Sequence, residues 1–422
     1  MLCPAKRSYS NDSTFAMLGS MKILSSIVSC YIHVSSAKSI LVHFCKKKLP
    51  FISLFKFSSH SNTLQWLVFS LRCLIILLTL PVNPFIILVM VEDIGIIGAG
   101  AWGTALALLL ADKGHDVALW MYEPNLAEET AYTRENRVYL PGFKLPTSIK
   151  ITTSLEIAVK NKSVVLAVMP SHTMRYVSKQ FVSFLSHDAI IVCASKGIEI
   201  NTLMPLSEVL KDVLPVNFHH MLCFLSGPSF AKEVAQKMPT AITLASYDTA
   251  IGEEIQSILS NRYFRVYTNP DIIGVELAGS LKNVVAIAAG VLEGMGYGHN
   301  SMAALITRGL AEMARLGIAM GAKLETFSGL AGMGDLVLTC TGGLSRNRTL
   351  GVRLGKGEKL PEIMKGMQTV AEGIMTTKAA RDLAEKYTID MPIVNEVYRL
   401  LYEGKDPKLA AGDLMERQLK GE

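Results

Sequence analysis

The chain is short of charge and short of cysteine. Only 18% of its 422 residues are Asp, Glu, Lys or Arg and 50% are hydrophobic, so a self-repelling disordered chain is excluded. Seven cysteines in a chain of 422 residues exclude a small disulfide scaffold, and with no CxxC pair and no Cys/His spacing of a metal knuckle no metal is expected. No repeat of 20–50 residues and no acidic, Gln-rich or Pro-rich tract is present, and 32 Gly are too few for collagen. What remains is a globular chain large enough for two or three domains.

The formal charge of +6 divides unevenly. Residues 1–91 hold nine Lys or Arg against the single acid Asp12, which leaves 33 basic and 35 acidic residues, a formal −2, for residues 92–422. That main part carries no nucleic-acid footprint. Cys193, Cys223 and Cys340, the three cysteines after residue 91, read as reduced thiols in a cytosol-like compartment, and the expected location is cytoplasmic.

Residues 1–91 are expected to be an extension outside the main folded core. An apolar stretch runs from Leu64 to Val91, interrupted by Arg72, Pro81 and Pro84. A membrane anchor or signal, an organelle transit segment and a non-native extension are the competing readings. The last is favoured, because Met90 immediately precedes a segment that starts a complete domain. Membrane contact through 64–91 is the disfavoured alternative.

From Glu92 short apolar runs alternate with helix-length amphipathic stretches, the signature of a parallel sheet with crossover helices. Strands are expected at 94–97, 117–121, 164–168, 190–194, 222–225 and 241–245. Past about residue 271 the strand signal stops and helical periodicity rich in Ala, Gly, Leu and Met takes over. The expectation is an α/β Rossmann-like domain over 92–270 and an all-helical substrate and catalytic domain over 271–422.

The run Ile94-Gly95-Ile96-Ile97 leads into Gly98-Ala99-Gly100-Ala101-Trp102-Gly103 and then into a helix-like stretch. This is G-x-G-x-x-G in its required context: Gly98 for the tight turn, Gly100 for approach of a pyrophosphate, Gly103 for close helix–strand packing. The next strand ends near Glu123, twenty residues past Gly103, where an acid accepts hydrogen bonds from the adenine ribose. Its charge would repel a 2′-phosphate, favouring NAD over NADP. Trp102 either covers the cofactor or packs on the sheet.

Lys282 lies in a nearly all-apolar helical run from Glu276 to Gly290, so burial should lower its pKa and suit it to proton transfer. The alternative is a lysine snorkelling from an interdomain surface. Lys196 follows one strand and Gly227-Pro228-Ser229 follows another, both at the sheet edge where open parallel sheets bind ligands. Further on, Gly334-Asp335 and Ser345-Arg346-Asn347 bracket a Gly/Thr-rich loop. Ser345 can cap a helix whose first turn offers Arg346 and Asn347 to a phosphate, against the alternative of a capped helix with a solvent-facing arginine. Cys340 lacks a base and is given no role.

Together these motifs resemble the NAD(P)-dependent sn-glycerol-3-phosphate dehydrogenases of bacterial type, over residues 93–422. The likeness rests on Gly98–Gly103, Asn136–Gly142, Ser195–Glu199, Ser226–Ala231, Glu276–Asn283, Gly334–Leu336 with Thr339-Cys340, and Ser345–Asn347. It implies interconversion of dihydroxyacetone phosphate and sn-glycerol 3-phosphate, supply of glycerophospholipid synthesis, and a homo-oligomer. It further implies Lys282 as proton acceptor and donor, substrate contacts from Lys196, Gly227, Ser229, Asp335, Ser345, Arg346 and Asn347, and cofactor contacts from Trp102, Lys196, Ala231, Arg346, Val370 and Glu372. Two positions depart from the family pattern: Ala101 stands where serine is usual, and Glu123 where NADP-using members tend to have arginine.

Overall fold

The computed structural model describes residues 91–366, 371–419 and 421; Val370 and the apolar stretch up to residue 90 lie outside these. Eight strands form one sheet: β1 (Asp93–Ile97), β2 (Asp116–Trp120), β3 (Ile149–Thr152), β4 (Val164–Ala167), β5 (Ile190–Cys193), β6 (Leu222–Ser226), β7 (Thr240–Ser246) and β8 (Phe264–Asn269). Their order is β3-β2-β1-β4-β5-β6-β7-β8. All pairings are parallel except β6 with β7, which is antiparallel. The link between those two strands holds one short helix, Ala231–Ala235, which packs beside α1 (Ala101–Asp112) instead of recrossing the sheet.

The central strands are apolar throughout because both faces are covered. Ile94, Ile96, Val164 and Leu166 face one buried cluster, while Ile97, Val165 and Ala167 face another. The chain order reverses between β1 and β4, so their crossovers leave in opposite directions and a crevice opens beyond their carboxyl ends. β3 and β8 are the sheet edges and were not among the expected strands. In β8, Phe264 and Val266 are buried while Arg265 and Tyr267 are exposed, the alternation of a half-buried edge strand and not the continuous apolar run of the inner strands.

Helices follow β8. The first, α2 (Ile272–Gly294), is nearly all buried and is the core about which α3 (Asp335–Thr341), α4 (Arg346–Gly355) and α5 (Glu372–Tyr387) pack. Among the described residues it is the one helix long and apolar enough to cross a membrane, and 89% of its apolar window is buried within the fold. Its contact with α4 is backbone to backbone: a Cβ on Gly290 would lie 2.1 Å from the Arg348 carbonyl, and one on Gly351 2.1 Å from that of Ile287. That close approach fixes α4 against the C-terminal third of α2.

Candidate active site

The glycine turn sits between β1 and α1. Gly98 adopts φ +111, a region L side chains avoid. A Cβ on Gly103 would lie 1.9 Å from the Gly98 carbonyl, whereas one on Gly100 would meet nothing within 4 Å. Gly100 therefore borders open space at the N-terminus of α1, which has no side-chain cap. First-turn N–H groups with no side-chain cap among the described residues, facing a cradle that any side chain would fill, suit a pyrophosphate. Trp102 and Ala231 are both half-buried against the core cluster under α1. Glu123, half-buried at the end of β2, accepts a hydrogen bond from the Tyr139 hydroxyl at 2.8 Å.

Across the crevice one carboxylate gathers two amines. Asp335, 1% exposed at the start of α3, pairs through Oδ1 with Lys282 Nζ and through Oδ2 with Lys196 Nζ at 2.7 Å. Lys282 also donates to Thr339 Oγ1 at 2.8 Å, and Lys196 to the Gly227 carbonyl at 3.3 Å, which accepts the Ser229 hydroxyl at 3.0 Å. Thr339 in turn donates to the Asp335 carbonyl at 2.6 Å. A π-type turn over Leu330–Gly334, closed from Gly334 N–H to the Gly329 carbonyl, aims Asp335 inward.

The charges decide the protonation states. Burial lowers the Lys282 pKa to about 8; the second ammonium, Lys196, pushes the same way, and Asp335 only partly offsets them. Burial alone would raise the Asp335 carboxyl, but Lys196 and Lys282 hold it below its ordinary value. Glu372, at the start of α5, is raised by burial against the opposing fields of Arg346, Lys196, Lys282 and His172.

Ser345 caps α4, accepting from Arg348 N–H at 3.2 Å. Asn347 is buried and accepts the Gly373 N–H at 2.9 Å, joining α4 to α5, whereas Arg346 is exposed and makes no hydrogen bond or ion pair among the described residues. The geometry thus joins Lys282, Lys196, Asp335, Gly227 and Ser229 directly. Asn347 is turned toward Gly373, and Ser345 is spent on its cap.

Two features were not foreseen. Thr339 lies inside α3 and not in a loop, one turn from Asp335, so its hydroxyl reaches Lys282. Asn136, fully buried, donates to the Ala99 carbonyl at 2.8 Å and to Thr104 Oγ1 at 2.9 Å, bracing the glycine turn. The thiols of Cys223 and Cys340 are pushed up to about 12 by burial, which leaves them inert. No cluster of three or more His, Cys, Asp or Glu suited to a metal ion occurs among the described residues.

A Rossmann-type sheet with an open glycine cradle, faced by a buried amine of depressed pKa, defines a dinucleotide-dependent oxidoreductase. Comparison narrows the class. Family models described as the N-terminus and C-terminus of NAD-dependent glycerol-3-phosphate dehydrogenase match residues 93–251 and 271–411. The chain is 53% identical over 333 residues to glycerol-3-phosphate dehydrogenase [NAD(P)+] of Geobacter sp. (strain M21), covering 79% of this chain and 99% of that one. A crystal structure of glycerol-3-phosphate dehydrogenase from Coxiella burnetii matches with TM-score 0.74 and 41% identity over 78% of this chain and 99% of that chain. The yeast enzyme of the same name follows at TM-score 0.66 and 26% identity, over 78% and 100%. The chain belongs to the NAD-dependent glycerol-3-phosphate dehydrogenase family, and it is an NAD(P)-dependent oxidoreductase.

Proposed function

We propose that the chain interconverts dihydroxyacetone phosphate and sn-glycerol 3-phosphate, with NAD as its working cofactor and Lys282 as the group that gives and takes the proton. The observation that carries this reading is the Lys282–Asp335–Lys196 triad, two amines on one buried carboxylate. When bound, the nicotinamide supplies or accepts the hydride. Gly98, Gly100 and Gly103 would admit its pyrophosphate, and Glu123 would take the ribose hydroxyls while repelling a 2′-phosphate.

In the reductive direction the Lys282 ammonium donates to the ketone oxygen as negative charge develops there; in the oxidative direction its neutral amine removes the hydroxyl proton. A pKa of about 8 keeps both forms accessible near neutrality. Lys196 stabilises the developing oxyanion from the other side of Asp335, where burial of the carboxylate and of Lys282 strengthens the field. Asp335 keeps the two amines from repelling one another apart. Arg346, which makes no hydrogen bond or ion pair among the described residues, is suited to grip the phosphate at the α4 N-terminus together with the Nδ2 of Asn347, whose Oδ1 is taken by Gly373, helped by the helix N–H groups. The supply of glycerophospholipid synthesis, a cytoplasmic location and a homo-oligomer belong to the same proposal and rest on family membership.

The test follows NADH loss by absorbance with dihydroxyacetone phosphate and, separately, with dihydroxyacetone. Turnover that needs the phosphate supports the reading; equal rates with both ketones overturn it.

A further inference from the structure

The acid that would meet the cofactor's ribose does not stand alone. Glu123 is the cap residue of the helix Pro124–Thr133, yet its side chain caps no N–H there. It instead accepts the Tyr139 hydroxyl through Oε1 at 2.8 Å, and Oε2 has no partner among the described residues. Tyr139 is itself fixed: its backbone N–H donates to Asn136 Oδ1 at 3.2 Å. Asn136 is the residue whose Nδ2 holds the Ala99 carbonyl and Thr104 Oγ1, at the two ends of the glycine turn.

One four-residue segment, Asn136–Tyr139, therefore touches both halves of the cofactor cradle. At one end it clamps the turn for the pyrophosphate; at the other it clamps the carboxylate for the ribose. The far side of the same loop is anchored by Arg134, in left-handed conformation at φ 55, which donates to the carbonyls of Leu145 at 3.1 Å and Ile149 at 2.9 Å. A half-exposed glutamate with three rotatable bonds loses rotamer freedom when it binds a ligand, and a phenol that has already fixed it removes that cost. The same fixing prevents the carboxylate from swinging aside to admit a second anion.

We propose that Tyr139 is the specificity-determining residue behind Glu123: it commits Oε1, leaves Oε2 for the ribose diol, and holds the charge where a 2′-phosphate would sit. This deepens the NAD reading given above and rests on it. The experiment titrates NADH and NADPH into the full chain by ligand fluorescence, without the ketone, for the wild type, Tyr139→Phe, Glu123→Gln and the double variant. Tyr139→Phe should weaken NADH roughly tenfold while leaving NADPH unchanged or tighter. Glu123→Gln keeps an oxygen for Tyr139 but loses the charge, so NADPH affinity should rise. In the Gln background, Tyr139→Phe should change the NADH to NADPH ratio far less than it does in the wild type.

The failures are separable. A wild type that binds NADPH as tightly as NADH overturns the NAD reading. A wild type that prefers NADH and a Tyr139→Phe variant with the same ratio overturn the Tyr139 inference alone. Equal weakening of both nucleotides also overturns it, since that is the behaviour of a loop support.

Discussion

The two sides of the crevice are made of different material. On the sheet side the cradle is backbone: an αL-like glycine at 98, a carbonyl with no room for a Cβ beside it at 103, and open space at 100. On the helical side it is side chain: Lys196 from the β5 edge, Lys282 from α2, and Asp335 with Thr339 from α3, converging on one buried carboxylate. The first surface, the glycine turn, carries no charged side chain and has no room for an added methyl at Gly98 or Gly103. The second tolerates small changes of shape and no change of charge, because an amine or carboxylate left unpaired there pays the full desolvation penalty.

The comparison breaks most plainly at Lys282. Lys282→Ala should lower turnover by roughly a thousandfold, the usual range for a lost general acid, while NADH affinity measured by fluorescence stays nearly constant. Loss of NADH binding would mean the two sides are not independent. The pH profile sharpens the point. The Lys282 pKa is depressed from the ordinary lysine value to about 8, so the ammonium is lost as pH rises through that value. Ketone reduction, which needs the ammonium, should decline above about 8, and alcohol oxidation, which needs the amine, should rise through the same region. Both limbs should vanish in the alanine variant.

The reciprocal break is Gly103→Ala, whose new Cβ would lie 1.9 Å from the Gly98 carbonyl. Forcing the turn open costs about 1–3 kcal/mol, as much as roughly a hundredfold in NADH affinity. The pH dependence set by Lys282 should survive it. Arg346→Ala comes next: removing a charged hydrogen bond to phosphate should raise KM for dihydroxyacetone phosphate roughly thirtyfold with a smaller effect on kcat. A change in kcat alone would remove Arg346 from the phosphate grip.

The same difference explains what could be read from the sequence. A backbone cradle is local, so Gly98, Gly100 and Gly103 announce themselves within six residues, and strands buried on both faces announce themselves as apolar runs. The edge strands β3 and β8 are buried on one side only and lack a continuous apolar run, and they were missed. The antiparallel return of β7 was also invisible, because nothing local distinguishes a short helix that recrosses a sheet from one that does not. Lys282 stood out as the one charge between Glu276 and Glu293 in an otherwise nearly apolar helix. Its partner Thr339 did not, since Thr and Gly over 339–343 read as loop, whereas the structure carries α3 through Thr341. Asn136 is fully buried but lies in a polar segment, where only its contact with Ala99, 37 positions away, reveals its part in the turn.

The smallest effect tests the finest detail of the charged side. Thr339 Oγ1 accepts from Lys282 at 2.8 Å while donating to the Asp335 carbonyl at 2.6 Å, so it is the neutral third partner of a charged pair. Thr339→Val keeps the shape of the side chain and deletes that acceptor. The ammonium then loses one hydrogen bond that the neutral amine needs less, so the Lys282 pKa should move further down and the falling limb of ketone reduction should shift to lower pH. Loss of one such bond is worth about 1 kcal/mol, roughly a fivefold change in kcat/KM, with NADH affinity untouched. A fall in rate with an unmoved limb would show that Thr339 orients Lys282 without tuning it. An unmoved rate and limb together would mean that Asp335 alone fixes the amine, and that the charged side of the crevice is as simple as two lysines on one carboxylate.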